Sequence, residues 1–216
     1  MTIVDQLVQS PRLPRVVEEL RHILDAEKVR REEFYDWLTE DRKAEFINGE
    51  VIVHSPVTLR HEGASSNLFR LLSIYVDRKG LGRVGHEKLL VSLTRNDYEP
   101  DICFWKSSKA DSFVQDQLKF PAPDLAVEVL SPSTEKIDRK VKFEDYAAHG
   151  TDEYWIVDSE QGTIEQYLLT GEEYRLAVKV AHGPIRSRAI AGLEFPVPAA
   201  FDAQANLAAL TAIMIS

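Results

Sequence analysis

Pro123-Asp124-Leu125-Ala126-Val127-Glu128-Val129-Leu130-Ser131-Pro132-Ser133-Thr134 is the stretch that constrains this chain most. Its apolar run has the length and β-branched content of a buried strand, with proline before it and Ser-Pro-Ser after it. Glu128 lies inside that run, between two valines. A carboxylate in such a setting is costly unless it is paired with a cation or bound to a metal. Asp101 sets the same problem, because it opens a second apolar run through Ile102, Cys103, Phe104 and Trp105. Two acids on neighbouring strands supply hard oxygen donors, which suit Mg²⁺ or Mn²⁺ better than zinc. A structural reading stands beside this one: Asp101 caps a strand end and Glu128 pairs with a basic residue such as Lys142.

Working outward, Ala44-Glu45-Phe46-Ile47 and Glu50-Val51-Ile52-Val53-His54 flank Asn48-Gly49, the dipeptide most typical of a two-residue hairpin turn. Ala64, Leu68, Leu71, Leu72, Tyr75 and Val76 fall at helical spacing, and Gly80 and Gly82 close that helix. A strand is expected over Glu87 to Leu93, followed by the Asp101 and Asp124 strands. A mixed-charge helix then runs to His149, with Gly150 as its stop. Glu153 to Asp158 reads as a strand, Thr163 to Leu169 and Glu173 to Val180 as an antiparallel ribbon, and Ala203 to Ile215 as a short packed helix. At the other end, Leu13, Val16, Val17, Leu20, Ile23 and Leu24 form the apolar stripe of one helix, and a second short helix is expected over Glu32 to Thr39. The stripe fits packing against the domain and a dimer contact equally well. This order of elements is that of an α/β protein with mixed strand directions.

Composition narrows the field. With 26 Lys+Arg against 35 Asp+Glu the 216-residue chain carries a net charge of −9, which argues against nucleic-acid binding by bulk positive charge. Its single cysteine, Cys103, excludes intramolecular disulfides and cysteine-rich metal clusters, and a reducing cytoplasm is the expected compartment. No apolar run approaches the roughly 20 residues that span a bilayer, so no membrane partner is expected. The chain has no Gly-rich phosphate loop, no Gly-x-Ser-x-Gly elbow and no His-Glu-x-x-His pair.

Taken together, Glu45-Phe46-Ile47-Asn48-Gly49-Glu50, His61 ahead of its helix, Pro100-Asp101-Ile102, the Pro123 to Thr134 block, Asp138 through Lys142 to Tyr146, Gly150, and Glu153 to Asp158 resemble the putative restriction endonuclease family of the PD-(D/E)XK nuclease superfamily. The resemblance covers roughly Arg31 to Pro198. It implies a restriction endonuclease-like α/β core, a central mixed β-sheet flanked by helices, spanning residues 31–200. Residues 1–30 are then an N-terminal helical extension, and 201–216 a C-terminal apolar segment packed on the domain.

The resemblance also implies a Mg²⁺ (or Mn²⁺) site formed by Asp101 and Glu128, the motif acids, and hydrolysis of DNA phosphodiester bonds, with RNA as the neighbouring substrate class. Asp124 competes for the first role, but it shares a strand with Glu128 whereas the motif's acids come from different strands. One departure stands out. The superfamily places a lysine two residues after the second acid, on the same face of the strand, and this chain has Leu130 there. Lys142 is the replacement candidate, since Asp138, Lys142 and Tyr146 follow one another at four-residue steps along a helix face. Glu45, His61, Asp124 and Tyr146 are the supporting candidates. A homodimer is expected for an enzyme that cuts both strands of a duplex. The alternative reading is a nuclease-fold binding or assembly module that has lost catalysis and keeps its acids as a structural ion-pair cluster.

Overall fold

In the computed structural model, which describes residues 2–39 and 41–215, a short helix α1 (Ile3–Val8) leads into one long helix, α2 (Leu13–Trp37). The expected break between two N-terminal helices is absent. Between Asp25 and Arg31 the apolar stripe lapses, but alanine, glutamate, lysine and arginine are strong helix formers and carry the helix through. Two of these residues anchor it: Arg31 pairs with Asp97 at 2.6 Å and Glu27 with Arg95 at 2.7 Å. Farther back along α2, Leu20, Ile23 and Leu24 remain exposed.

The hairpin forms as its turn residues require: β1 (Ala44–Ile47) and β2 (Glu50–Val53) join through Asn48 at φ 51° and Gly49 at φ 85°. Helix α3 (Leu59–Lys79) starts with the Thr58 hydroxyl accepting the His61 N–H and ends at Gly80 in the left-handed region.

The next segment departs from the expected single strand over Glu87 to Leu93. Strand β3 (Gly82–His86) comes first, the chain turns through Glu87 and Lys88 at positive φ, and β4 (Leu90–Ser92) enters a different sheet. Two glycines dilute the β pattern of β3 and hid it. Gly82 sits at φ 147° against the Trp105 carbonyl, where any side chain would collide.

There follow β5 (Asp97–Tyr98), β6 (Ile102–Lys106), α4 (Ser107–Ala110), β7 (Lys119–Phe120) and β8 (Leu125–Val129). Asp101 stands just ahead of β6 rather than in it. The expected single helix after Ser133 is three pieces: α5 (Glu135–Ile137), a π turn over Asp138–Lys142, and α6 (Phe143–Ala148). Then come β9 (Glu153–Asp158), β10 (Thr163–Thr170), β11 (Glu173–Val180), the small ribbon β12 (Pro184–Arg186) and β13 (Glu194–Pro196), and α7 (Ala203–Ile215).

Six strands form a mixed sheet in the order β11-β10-β9-β8-β6-β3, in which β8 and β9 are parallel and the other neighbours antiparallel. Five form a second sheet, β2-β1-β5-β4-β7. One face of the six-stranded sheet (Ile102, Phe104, Leu125, Val127, Val129, Trp155, Val157) packs on α3 and α7. Its other face (Cys103, Trp105, Ala126, Tyr154, Ile156) packs on α6 and the second sheet. Helix α2 covers the second sheet through Phe34 against Phe46. Each fully buried side chain of this size contributes about 1.5–3 kcal/mol, so both layers are firmly seated around the face that carries Glu128.

Candidate active site

Alternation along β8 places Val127 and Val129 against α3 and α7, and turns Ala126 and Glu128 the opposite way. Glu128 is buried near the end of the strand, and Lys142 from the π turn meets it there, with Nζ 3.2 Å from Glu128 Oε1. The same ammonium lies 2.9 Å from Glu45 Oε1 and 3.1 Å from Asp138 Oδ1, and the Lys142 side chain is 1% exposed. Three elements therefore meet at one atom: the hairpin brings Glu45, the central sheet brings Glu128, and the π turn brings Asp138 and Lys142 together.

Asp101 sits alongside. Its Oδ2 accepts the Val129 N–H at 2.8 Å and faces His61 Nε2 at 3.5 Å, while its Oδ1 accepts from Lys43 Nζ at 3.0 Å. His61 Nε2 is also 2.9 Å from the Val129 carbonyl. Two further groups tie the hairpin to this region. The Glu99 N–H donates to Glu45 Oε1 at 2.9 Å, and the Ala44 N–H donates to Glu99 Oε2 at 3.0 Å. His54 Nε2 lies 3.3 Å from Glu45 Oε2.

The electrostatics follow from burial. Loss of water, reinforced by the charges of Asp138, Asp101 and Glu45, pushes the Glu128 carboxyl well above its ordinary range despite the Lys142 charge. Burial likewise raises Asp138, and it lifts Glu99 to about 7. Burial pushes Asp101 and Glu45 upward too, yet their partners win: His61, Lys43 and the Val129 N–H hold Asp101 low, and Lys142 with His54 holds Glu45 low. The Lys142 ammonium, which burial alone would discharge, is kept charged by Glu128, Glu45 and Asp138.

Lys43, His54, His61, Glu99, Asp101, Glu128 and Lys142 line one cavity of about 40 Å³, rimmed by the hydroxyl residues Ser55, Ser131, Ser133 and Thr134. That is room for about one ion or one to two waters. Five carboxylates (Glu45, Glu99, Asp101, Glu128, Asp138) meet two lysines and two histidines here, and burial favours the neutral form of three of them, Glu99, Glu128 and Asp138. Glu128 Oε1 meets the Lys142 ammonium as an ion pair. Hard oxygen donors gathered at one small cavity fit a small divalent ion. Among the described residues no three His, Cys, Asp or Glu side chains form a ready-made metal cage. An ion held by Asp101 and Glu128 would complete its shell with water, as Mg²⁺ commonly does.

Of the residues singled out by sequence, Asp101, Glu128, Lys142, Glu45 and His61 come together. Tyr146 lies fully buried between Tyr98 and Tyr154 with its hydroxyl unpartnered. Asp124 belongs elsewhere: it precedes β8 at the end opposite Glu128, accepts the Lys106 N–H at 2.8 Å and pairs with Lys109 at 3.2 Å. Sequence reasoning missed Lys43, His54 and Glu99. Lys43 was within reach of it, because period-two alternation puts residues 43 and 45 on one face of the strand. His54 was not, since only the hairpin register brings its N–H to the Lys43 carbonyl.

The family model described as "Uma2: Putative restriction endonuclease" matches residues 31–198. Two uncharacterised proteins of Synechocystis sp. are similar to this chain. One is 27% identical over 168 residues, 76% of this chain and 91% of the relative, and the other is 31% identical over 147 residues, 65% and 74% respectively. A crystal structure from Anabaena variabilis, described as a putative nuclease belonging to DUF820, superposes with a TM-score of 0.68 at 19% identity. It covers 79% of this chain and 96% of the other. That likeness establishes the shared fold.

Proposed function

The chain belongs to the Uma2 putative restriction endonuclease family, and on that premise we propose that it is a divalent-metal-dependent endonuclease hydrolysing DNA phosphodiester bonds. The observation that carries this reading is the meeting of Asp101, Glu128 and Lys142 around one small, hydroxyl-rimmed cavity. Asp101 and Glu128 would hold Mg²⁺ or Mn²⁺. When bound, such an ion supplies a Lewis acid for a phosphate oxygen and a lowered pKa for water.

The protein residues do the positioning. The Val129 N–H and His61 fix the Asp101 carboxylate through its Oδ2. Lys142 keeps Glu128 aimed and favours its charged form, and it is the cation from which Glu128's neighbourhood can assist an attacking water, provided one of its three carboxylates yields. The rim of Ser131, Ser133 and Thr134 offers hydroxyls to the sugar-phosphate backbone. Nothing in these contacts selects a base, so the reading carries cleavage and leaves sequence choice to other surfaces.

The test is titration calorimetry with Mg²⁺ and Mn²⁺ on the native protein and Glu128→Ala, paired with nicking of supercoiled plasmid. Metal binding lost in the variant, with cleavage reduced about 100-fold, supports the enzyme. No heat and no cleavage from either protein would reject it in favour of an assembly module, and cleavage of single-stranded RNA in place of plasmid would reassign the substrate.

A further inference from the structure

The two lysines of the cavity are not equivalent. Lys142 is enclosed, 1% exposed, with three carboxylates around its ammonium. Lys43 stands at the mouth, 19% exposed at its side chain, and its ammonium has one carboxylate partner at close range, Asp101 Oδ1 at 3.0 Å. The oxygen it occupies has Lys43 as its one polar partner among the described residues, whereas Oδ2 is taken by the Val129 N–H and faces His61. The backbone of Lys43 is pinned to the hairpin, its carbonyl accepting the His54 N–H at 3.0 Å. The side chain beyond it is a flexible four-carbon stem. A positive charge on a movable arm thus rests on the oxygen that a metal would need.

We propose that Lys43 is an exchanging cation: it occupies Asp101 in the metal-free protein, is displaced from Oδ1 when a divalent ion binds, and then contacts a backbone phosphate of the substrate at the mouth of the cavity. This rests on the nuclease reading above and assigns a substrate contact that Lys142 cannot supply while its carboxylates hold it. The position matches the need. In a protein of net charge −9, a strand of DNA reaching five carboxylates meets little favourable charge, and a single ammonium at the entrance has a large relative effect. Exchange also has a sign that a purely structural lysine lacks. Lys43 and the metal compete for one oxygen, so removing the lysine should favour the metal and harm the reaction together.

The experiment compares native protein, Lys43→Gln and Lys43→Arg. Without DNA, Mn²⁺ affinity is measured by titration calorimetry. With DNA, plasmid nicking is measured at saturating Mn²⁺, and duplex binding is measured by fluorescence anisotropy with Ca²⁺ in place of Mn²⁺ over a range of salt. Lys43→Gln should bind Mn²⁺ several-fold more tightly, nick about tenfold more slowly or worse, and lose about one unit of the log-log salt slope. Lys43→Arg should regain most of the nicking. Unchanged or weaker Mn²⁺ affinity in Lys43→Gln, or undiminished nicking, overturns the proposal while leaving the nuclease intact. A native protein that neither binds Mn²⁺ nor nicks DNA overturns the nuclease reading, and this proposal with it.

Discussion

Lys142 Nζ lies 3.2 Å from Glu128 Oε1 although a strand end, a Ser-Pro-Ser loop and a change of helix type separate the two residues in the chain. The lysine expected two residues after that glutamate is replaced by Leu130, which packs against the aromatic side of the core. A cation meets the glutamate all the same, delivered from a later segment of the chain. What it neutralises there is more than one acid, and this sets how the protein should respond to its loss.

Lys142→Met removes the only ammonium within ion-pair reach of Glu45 and Asp138 among the described residues. Breaking a buried pair from one side costs about 3–5 kcal/mol, and here three acids lose their shared cation, Glu45 alone keeping His54. Urea unfolding at pH 7 should register a loss of that order. The deficit should shrink as pH falls, because stranded carboxyls whose folded pKa is raised take up protons more readily folded than unfolded. A deficit that stays constant down to pH 4.5 would mean the three acids are not coupled through this lysine.

The Asp124 question can be answered by heat. A ligand that binds only the native state stabilises it by about 1.4 kcal/mol at ten times its Kd. Mn²⁺ should therefore raise the Tm of the native protein and of Asp124→Asn alike, and leave Asp101→Asn unmoved. A lost shift in Asp124→Asn would return that residue to the metal site despite its pairing with Lys109.

Away from the cavity, Glu165 offers a separate check on pH dependence. Burial pushes its carboxyl up, but Arg139, Tyr167 and Lys179 outweigh that and bring it down to about 2. A depressed folded pKa contributes stability that is complete above the unfolded value near 4.5 and is lost as pH falls toward 2. Because Arg139 and Lys179 are partly in water, screening reduces the contribution to about 1 kcal/mol. Glu165→Gln should be less stable than the native protein at pH 7, and the gap should close on acidification. A gap that widens below pH 4 would contradict the assignment.

Gly82→Ala tests the strand that sequence reading overlooked. At φ 147° an added Cβ would fall on the Trp105 carbonyl oxygen, and a residue forced into such a backbone region costs about 1–3 kcal/mol before any clash is counted. Hydrogen exchange should show β3 and the facing half of β6 losing protection first. Equal protection in both proteins would mean the pairing of Gly82 with Lys106 is dispensable.

The parts of this molecule legible in sequence are those fixed by local chemistry. Asn48-Gly49 can hardly be anything but a hairpin turn, the Glu128 strand announces its own conflict, and Gly80 ends α3 by taking a conformation other residues avoid. What escaped notice depends on contacts between distant segments. Strand β3 is poor in β-formers and is held by β6 beside it. Beyond its hairpin, the second sheet takes in β5 and β7, two-residue strands with no periodicity long enough to detect. Within the site, Asp101, Glu128 and Lys142 were legible because acids in apolar runs are conspicuous and a resemblance supplied the rest. Lys43 and Glu99 were not, because a lysine or glutamate beside a strand is ordinary until the hairpin and the central sheet are brought face to face.

The π turn over Asp138–Lys142 fits one more residue into a turn than an α-helix does. Winding the same residues as α-helix throughout would rotate the side chains at its end by about 100°, carrying Lys142 off the acids while leaving composition unchanged. The arrival point of this charge therefore depends on the winding of the helix as much as on the residue number that delivers it. A search that counts residues from the glutamate would overlook this lysine, whereas one that measures from the carboxylate oxygen would find it.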